Sequence, residues 1–240
     1  MKPNSTIYLR ILSWLVTLLI PGILVVGALR ITVNPWYLNF EYHMPGFPPD
    51  EYGFTLQDRL HYAGITFEYL VNNADISFLG DLRFPEWMTV PPESCQFMTD
   101  CNLVFNEREL KHMLDVNKTF QGATWLMYGS LVLVLLFGIW AWFGGWWKQL
   151  QFGVRRGGWL TLFFIGAVIL SVLLSFGVLF VFFHNLFFAK GTWLFYTSDT
   201  LIRMFPERFF RDIFITVGGI AAILGLLVSF IPLHRIKKVN

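Results

Sequence analysis

Two histidines lie in sequence contexts where an imidazole could do chemistry. His184 is the centre of FFHNLFF, at the end of a long uncharged stretch, and His112 lies in NERELKHMLDVNK, three residues from both Glu109 and Asp115. An imidazole titrates near neutral pH and can take up or deliver a proton, and a carboxylate one helical turn away can orient it. We therefore treat His112 and His184 as candidate catalytic residues, with Glu109 and Asp115 as candidate orienting residues.

The elements that must position these histidines are predicted to be membrane helices. Of the 240 residues, 55% are hydrophobic and 14% are charged, whereas soluble domains usually have about a quarter charged residues. Four uncharged segments approach or exceed the ~20 apolar residues needed to cross a bilayer: 11–29, 122–143, 159–183 and 213–233. We expect an all-α polytopic membrane protein with four transmembrane helices.

The basic residues near the ends of these spans predict the orientation. They lie before the first span, in the loop 144–158, and after the fourth span: Lys2, Arg10, Lys148, Arg155, Arg156, Arg235, Lys237 and Lys238. This distribution predicts that both termini are cytoplasmic. The segments 34–121 and 184–212 then lie outside together, where 34–121 is expected to form a small extracytoplasmic cap. Both candidate histidines are then expected at the outer membrane boundary.

The cap segment changes character along its length. NPWYLNFEYHMPGFPPDEYG is rich in proline and aromatic residues and predicts an irregular loop, whereas LQDRLHYAGITFEYL has apolar residues at helical spacing and predicts a helix. Residues 72–102 show no sustained period, which is typical of a loop with short strands at most. Asn106 with Glu109 three residues later predicts the capped start of a further helix.

The outer loop 184–212 contains a segment with the pattern of an interfacial amphipathic helix. Ser198 is the predicted N-cap, and Pro206 is expected to break or kink the segment. Arg203, Glu207 and Arg211 follow one another at four-residue spacing. These arginines would either bind anionic lipid headgroups or form an internal salt-bridge stripe with Glu207, and the sequence leaves both interpretations open.

Several functional classes receive no support from the sequence. A dispersed net charge of +2 gives no indication of nucleic-acid binding, and GxSxG, HExxH and Gly-rich phosphate motifs do not occur. Cys95 and Cys101 are too few for a disulfide scaffold or a closed zinc site. On the oxidising side of the membrane they would form a possible disulfide. We expect no metal and no cofactor.

The segments NERELKHMLDVNK, FHNLFF and GTWLFYTSDTLIRMFPERFF, together with the four-span layout, resemble the bacterial integral membrane family that includes lipoprotein intramolecular transacylase. The resemblance is good over residues 105–211 and weak over 34–104. It implies an enzyme of the bacterial cytoplasmic membrane that moves the sn-2 acyl chain of a lipoprotein's diacylglyceryl group to the amine of its N-terminal cysteine. The implied partners are a lipidated protein substrate and membrane lipid, and the oligomeric state is left open.

The resemblance also implies roles for individual residues. The two functional histidines of the family fall on His112 and His184, at the outer face of the membrane. His184 is expected to be the base and His112 its electrostatic partner, oriented by Asp115 or Glu109, although the two roles can be exchanged. The residues expected to bind the substrate are Trp193, Asp199 and Arg203.

Three other interpretations stay open. A membrane thiol-redox protein would use Cys95 and Cys101, whose C-x5-C spacing differs from the C-x-x-C of thiol oxidoreductases. A non-catalytic lipid-binding or assembly protein would carry histidines that only titrate at the interface. A metal site between the histidines would need a neighbouring carboxylate as a further ligand.

Overall fold

The computed structural model describes residues 3–233 other than 87, 89, 91, 96 and 97. Four of the basic residues that predict the orientation, Lys2, Arg235, Lys237 and Lys238, lie outside these described residues. The described residues form the following helices: α1 (Pro3–Thr32), α2 (Pro35–Tyr42), α3 (Leu56–Val71), α4 (Ser77–Gly80), α5 (Pro92–Cys95), α6 (Glu107–Gly144), α7 (Trp147–Phe187), α8 (Thr200–Met204) and α9 (Glu207–Ser229).

Four of these helices, α1, α6, α7 and α9, are long and apolar enough to cross a membrane. The predicted all-α membrane fold with four transmembrane helices is thus confirmed. Large apolar side chains project from them unburied: Phe143 is 83% and Leu174 is 77% exposed. Such exposure is unfavourable in water, but lipid acyl chains are as apolar as these side chains.

Two of the spanning helices are longer than the apolar segments within them. α6 already begins at Glu107, and α7 begins at Trp147, so that most of the segment 144–158 is helical. The break between α6 and α7 is short because Gly145 has a positive φ of 74°, a conformation that ends helices and that glycine adopts without strain. Polar residues end the apolar segment that the sequence analysis detects, but the helix continues through them.

The chain divides into two compact units. Unit 1 consists of residues 1–31, 123–174 and 215–240, and unit 2 consists of residues 32–122 and 175–214. α7 is interrupted where the units divide, because Ser175 has extended rather than helical backbone angles (φ −164°, ψ 95°).

Within unit 1, glycines of α7 allow α1 to pack closely. A Cβ added at Gly153 would lie 2.5 Å from the carbonyl oxygen of Ser13, and one added at Gly157 would lie 2.5 Å from Cβ of Ile20. The hydroxyl of Thr17 donates a hydrogen bond to the Gly153 carbonyl at 3.1 Å. In lipid, such close contacts and interhelical hydrogen bonds are a main source of helix association.

Unit 2 has an aromatic core. The rings of Tyr37 and Phe209 meet edge to face with centroids 5.6 Å apart, and Phe67 stacks on Phe205 at 6.0 Å. Beside Tyr37, the carboxyl group of Glu41 is buried and accepts a hydrogen bond from the Tyr37 hydroxyl at 3.5 Å. Aromatic pairs of this kind add attraction beyond the area that they bury.

The predicted helix in the cap segment is confirmed as α3. It begins with a capping box between Thr55 and Asp58. Its last carbonyls are satisfied from α6, because Asn117 Nδ2 donates to the Tyr69 oxygen and Gln121 Nε2 donates to the Leu70 oxygen, each at 2.7 Å. These bonds fix the part of α6 around Asn117 and Gln121 against the end of α3.

Two expectations for the cap segment need correction. The Pro- and aromatic-rich segment is not irregular throughout, since α2 lies within it. Asn34 Oδ1 accepts a hydrogen bond from the Trp36 amide and Pro35 fills the first helical position, a start signal that the aromatic composition obscured. The described part of 72–102 forms the short helices α4 and α5 and one isolated antiparallel bridge, between Arg83 and Leu103.

The close contact of α1 and α7 predicts that Gly157→Ala destabilises the protein by about 1–3 kcal/mol, the usual cost of overpacking. Gly166→Ala is the matched control, because a Cβ at that position of the same helix meets nothing within 4 Å. Thermal unfolding of the purified variants in detergent measures the effect. Equal melting temperatures for the two variants would contradict the close packing.

Candidate active site

The structure brings His112 and His184 together in unit 2. Their ring centroids are 6.1 Å apart with planes inclined by 22°, and each side chain is only 7% exposed. Two groups that each contact one reacting centre at about 3 Å are separated by about 6 Å, so the spacing suits joint action on one small functional group.

The tautomer of His184 follows from its hydrogen bond. Nδ1 of His184 lies 2.8 Å from the carbonyl oxygen of Phe180, one turn earlier on α7. A carbonyl oxygen can only accept, so Nδ1 carries the hydrogen and donates it. In the neutral ring Nε2 then bears the lone pair. His184 is therefore oriented and prepared to accept a proton at Nε2.

Aromatic rings surround both histidines. The His112 ring lies 4.9 Å from the ring of Phe188 and 5.3 Å from that of Phe195, and the His184 ring lies 4.8 Å from that of Trp193. These rings exclude water and lower the local dielectric. Electrostatic interactions between the imidazoles and a bound substrate are strengthened in such surroundings.

Two buried nitrogen atoms near this pair have no hydrogen-bond partner in the part of the chain that the structure describes: His112 Nδ1 and Trp193 Nε1. Buried polar atoms of proteins are nearly always paired, and the exceptions concentrate at functional sites. Both atoms are thus available to a polar group of a substrate. His112 belongs to α6, His184 belongs to α7, and Trp193 lies in the segment between α7 and α8.

The carboxylate of Glu109 accepts hydrogen bonds from two backbone amides. Oε2 accepts from Asn106 N at 2.8 Å, and Oε1 accepts from Leu201 N at 2.7 Å. Asn106 Oδ1 in turn accepts from Glu109 N at 3.1 Å, which confirms the predicted capping box at the start of α6. These bonds direct Glu109 toward α8. Asp115 follows His112 by one turn of α6 and is half-buried.

Asp199 has its carboxylate fully engaged inside the protein. Oδ1 accepts a hydrogen bond from Asn106 Nδ2 at 2.9 Å, and Oδ2 accepts from Arg108 at 3.1 Å and from the Tyr196 amide at 2.8 Å. Asp199 is also the N-cap of α8, so the prediction of Ser198 as the N-cap is wrong by one residue. We refer to Asn106, Glu109, Asp199 and Leu201 as the α6–α8 clamp.

Arg203 forms a buried ion pair with Asp50. Its Nε and Nη2 atoms lie 3.0–3.3 Å from the Asp50 oxygens, and both side chains are 2% exposed. The guanidinium also stacks on Phe54, with 3.5 Å to the ring centroid. The Arg203–Glu207–Arg211 stripe, one of the two interpretations that the sequence left open, does not form a continuous helical stripe, because α8 ends at Met204 and α9 starts at Glu207, on either side of Pro206.

The other arginines of the outer loop are paired as well. Arg208 donates to Asp212 at 3.2 Å and to the carbonyl oxygen of Pro45 at 2.9 Å, and Arg211 donates to Asp212 at 2.9 Å. The loop 184–212 is predicted to lie outside, where the positive-inside rule disfavours arginines. Carboxylates of unit 2 neutralise these arginines, so they do not argue against the predicted orientation.

The two cysteines are joined in a disulfide between Cys95 and Cys101, which closes a short loop next to α5. Among the described residues, no three His, Cys, Asp or Glu side chains converge in an arrangement that could hold a metal ion.

The fold defines an integral membrane protein whose long helices hold a buried pair of histidines. The family model for the lipoprotein intramolecular transacylase Lit matches residues 13–210. The chain belongs to this family and is a membrane-integral transacylase.

Known proteins similar to this chain include solved membrane-protein structures and one relative of similar length. The in meso structure of Lit from Bacillus cereus superposes with a TM-score of 0.71 at 21% identity, covering 92% of both chains. Two variants of that protein, with one histidine replaced by arginine or alanine, superpose with TM-scores of 0.66. These likenesses show the fold. An uncharacterised protein from Aquifex aeolicus is 24% identical over 225 residues, 92% of this chain and 93% of its own length.

The buried ion pair of Arg203 predicts a stability effect rather than a substrate effect. Arg203→Leu leaves the Asp50 carboxylate buried and unpaired, and is expected to cost about 3–5 kcal/mol. Arg83→Leu is the matched control, because Arg83 pairs with Asp100 at the exposed surface, where such pairs contribute at most about 1 kcal/mol. Unfolding measurements test both. A normally stable Arg203→Leu protein with a raised KM would instead make Arg203 a substrate ligand.

Proposed function

We propose that this chain transfers the sn-2 acyl chain of a diacylglyceryl lipoprotein to the α-amine of the lipoprotein's N-terminal cysteine, with His184 as the general base. The observation that carries the proposal is the buried His112–His184 pair, in which the Nδ1–H···O bond to Phe180 leaves Nε2 of His184 free to accept a proton.

The reaction needs no nucleophile from the protein. The neutral cysteine amine attacks the sn-2 ester carbonyl, a C–N bond forms, and His184 Nε2 takes the proton that the amine loses. The tetrahedral intermediate collapses with cleavage of the C–O bond. The departing glyceryl oxygen takes the proton back from His184 and becomes a hydroxyl group. The products are an N-acyl amide and a monoacylglyceryl thioether, and no co-reactant is consumed.

Charge develops on the former carbonyl oxygen during the attack. His112 and Trp193 are the proposed donors to this oxyanion, because each has a buried nitrogen without a partner in the described residues. Donors held in position in a water-poor pocket stabilise the transition state without reorganising. Asp115, one turn from His112, is proposed to favour the charged form of that imidazole.

Proximity supplies a further part of the rate enhancement. Amine and ester belong to one molecule, so the enzyme has only to hold the two groups in an attacking geometry. Rings such as Phe188 and Phe195, which contact His112, are proposed to position the substrate's glyceryl and acyl portions and to keep out the water that would hydrolyse the ester.

Asp199 and Arg203 are proposed to support the site rather than to bind substrate. The Asp199 carboxylate already accepts three hydrogen bonds, and the Arg203 guanidinium is buried against Asp50 and Phe54. Of the three residues predicted to bind the substrate, Trp193 has an indole N–H without a partner among the described residues. Glu109 is proposed to position α6, because both of its oxygens bind backbone amides.

We propose that both termini are cytoplasmic and that the histidine pair works at the outer face of the membrane. The support among the described residues is the concentration of Arg10, Lys148, Arg155 and Arg156 near the start of α1 and the start of α7, which follows the positive-inside rule. Lipoprotein substrates lie with their lipidated cysteine in the membrane, so the ester and the amine are expected at the depth of the headgroups.

Replacing either histidine is expected to abolish the transfer, since general acid–base catalysis contributes about 10²–10⁴-fold. His112→Ala and His184→Ala are expressed in a host that makes only diacylglyceryl lipoproteins, and mass spectrometry of N-terminal lipopeptides measures the N-acyl, S-monoacylglyceryl isomer. The wild-type protein should produce this isomer, and neither variant should do so despite normal membrane levels.

His43→Ala is the matched control for these variants. His43 makes the same kind of bond as His184, from Nδ1 to the carbonyl oxygen of Asn39 one turn earlier at 2.7 Å, but it is exposed. This variant should keep wild-type activity. If both histidine variants convert the peptides at the wild-type level, the histidines have no part in the mechanism. If a well-folded wild-type protein leaves the diacylglyceryl peptides unchanged, the proposed transacylation of these substrates is refuted.

Trp193→Phe tests the proposed indole donor, because it keeps an aromatic ring and deletes only the N–H group. We expect kcat to fall about 10²-fold with little change in KM, as for the loss of one oxyanion donor. Trp125→Phe, at a highly exposed position of α6, should have no effect. A Trp193→Phe enzyme with kcat within twofold of wild type would limit Trp193 to packing.

A further inference from the structure

Unit 1 contains cationic side chains but no Asp or Glu. All 16 Asp and Glu residues of the chain lie within 32–122 and 175–214, the segments of unit 2. The basic residues of unit 1 include Arg10, Lys148, Arg155 and Arg156. Positive charges at a membrane surface need counter-charges, and no side chain of this unit can provide them. Their counter-ions must therefore come from outside the unit.

A cleft in unit 1 gathers two of these cations. It has a volume of about 320 Å³ and lies between the first half of α1 and the start of α7. The residues that line it are Arg10, Ser13, Trp14, Gln149, Phe152 and Arg156. This volume is at the lower end of the range of small-molecule sites, about 300–1,000 Å³.

Arg156 is held in place at the wall of the cleft. Its Nη2 donates to the hydroxyl of Ser13 at 2.8 Å, its Nε donates to the Phe152 carbonyl at 3.2 Å, and its guanidinium lies 4.5 Å from the ring centroid of Trp14. These contacts orient the guanidinium but do not neutralise it. An arginine fixed in this way is preorganised to bind an anion through its planar fork.

Arg10 is the second cation of the cleft and is exposed. In the part of the chain that the structure describes, its guanidinium has no ion pair or hydrogen bond with another side chain. The cleft is thus lined by two cations. Arg156 is held in position by its neighbours, whereas the side chain of Arg10 can move toward a ligand. The chemistry that complements them is an anionic oxygen cluster such as a phosphodiester.

The aromatic residues of the cleft indicate that this phosphodiester belongs to a lipid. Trp14 and Phe152 are both exposed large apolar side chains on helices that are apolar enough to cross a membrane. Rings beside a cationic cleft can lie along acyl chains while the arginines hold the headgroup, and basic clefts between membrane helices favour anionic headgroups in this way.

We propose that the cleft between α1 and α7 is a binding site for one anionic phospholipid, whose headgroup phosphate is bound by Arg10 and Arg156 and whose acyl chains contact Trp14 and Phe152. The site is separate from the histidine pair, since its residues all belong to unit 1 and the histidines belong to unit 2. The bound lipid supplies the negative charge that the sequence of unit 1 lacks.

Native mass spectrometry of the full-length protein in detergent tests this proposal. Phosphatidylglycerol and phosphatidylcholine are titrated in separate arms, and a third arm adds inorganic phosphate to the phosphatidylglycerol complex. The wild-type protein should retain one phosphatidylglycerol with an affinity several-fold above that for phosphatidylcholine. Arg10→Gln should weaken phosphatidylglycerol about five-fold, the usual effect of one cation at an anionic membrane surface. Arg156→Gln should weaken it at least as much.

Lys148→Gln is the matched control, because it removes one charge near the start of α7 from a residue that does not line the cleft. Its phosphatidylglycerol affinity should stay within two-fold of wild type. Equal affinity for the two lipids would overturn the proposal, as would a loss in Lys148→Gln as large as in Arg10→Gln. Displacement of the lipid by millimolar inorganic phosphate would make the cleft a phosphate site instead. Transacylase activity is not part of the readout, so the result is independent of the proposed mechanism.

Discussion

The α6–α8 clamp is the interaction on which the rest of unit 2 depends. Two buried carboxylates, Glu109 and Asp199, join the start of α6 to the segment that leads into α8. A buried carboxylate is costly unless its oxygens are satisfied, and here each oxygen accepts a hydrogen bond from a defined donor. The geometry is therefore strongly specified, because a small displacement of either element leaves buried carboxyl oxygens without partners.

The clamp explains how side chains near the ends of long apolar helices can be held in precise positions. His112 lies one turn beyond Glu109 on α6, and Trp193 precedes Asp199 in the segment between α7 and α8. Packing between apolar side chains alone resists sliding weakly, whereas hydrogen bonds to backbone amides fix the distance along the helix axis. Side chains whose relative positions must be held within about half an ångström benefit from this kind of support.

The sequence predicted the features that depend on local patterns. Hydropathy located the four spans, periodicity located α3, and the Asn106–Glu109 spacing located the start of α6. It also directed attention to His112 and His184, but their proximity depends on the packing of α6 against α7 and could only be expected from a shared membrane face. The pairing of Arg203 with Asp50 and of Asn106 with Asp199 joins distant parts of the chain, and no local pattern encodes it. The close approach at Gly153 and Gly157 was readable as small residues four apart, a signal that overall hydropathy hides.

All Asp and Glu side chains lie in the segments of unit 2, and one of them links the stability of that unit to pH. Burial, with repulsion from Asp212, raises the pKa of Glu41 from 4.5 to about 7. The folded state then binds a proton that the unfolded chain has released, and the stability that this provides falls as the pH rises from about 4.5 to about 7. A change in pH within this range would thus alter the stability of the unit that holds the histidine pair.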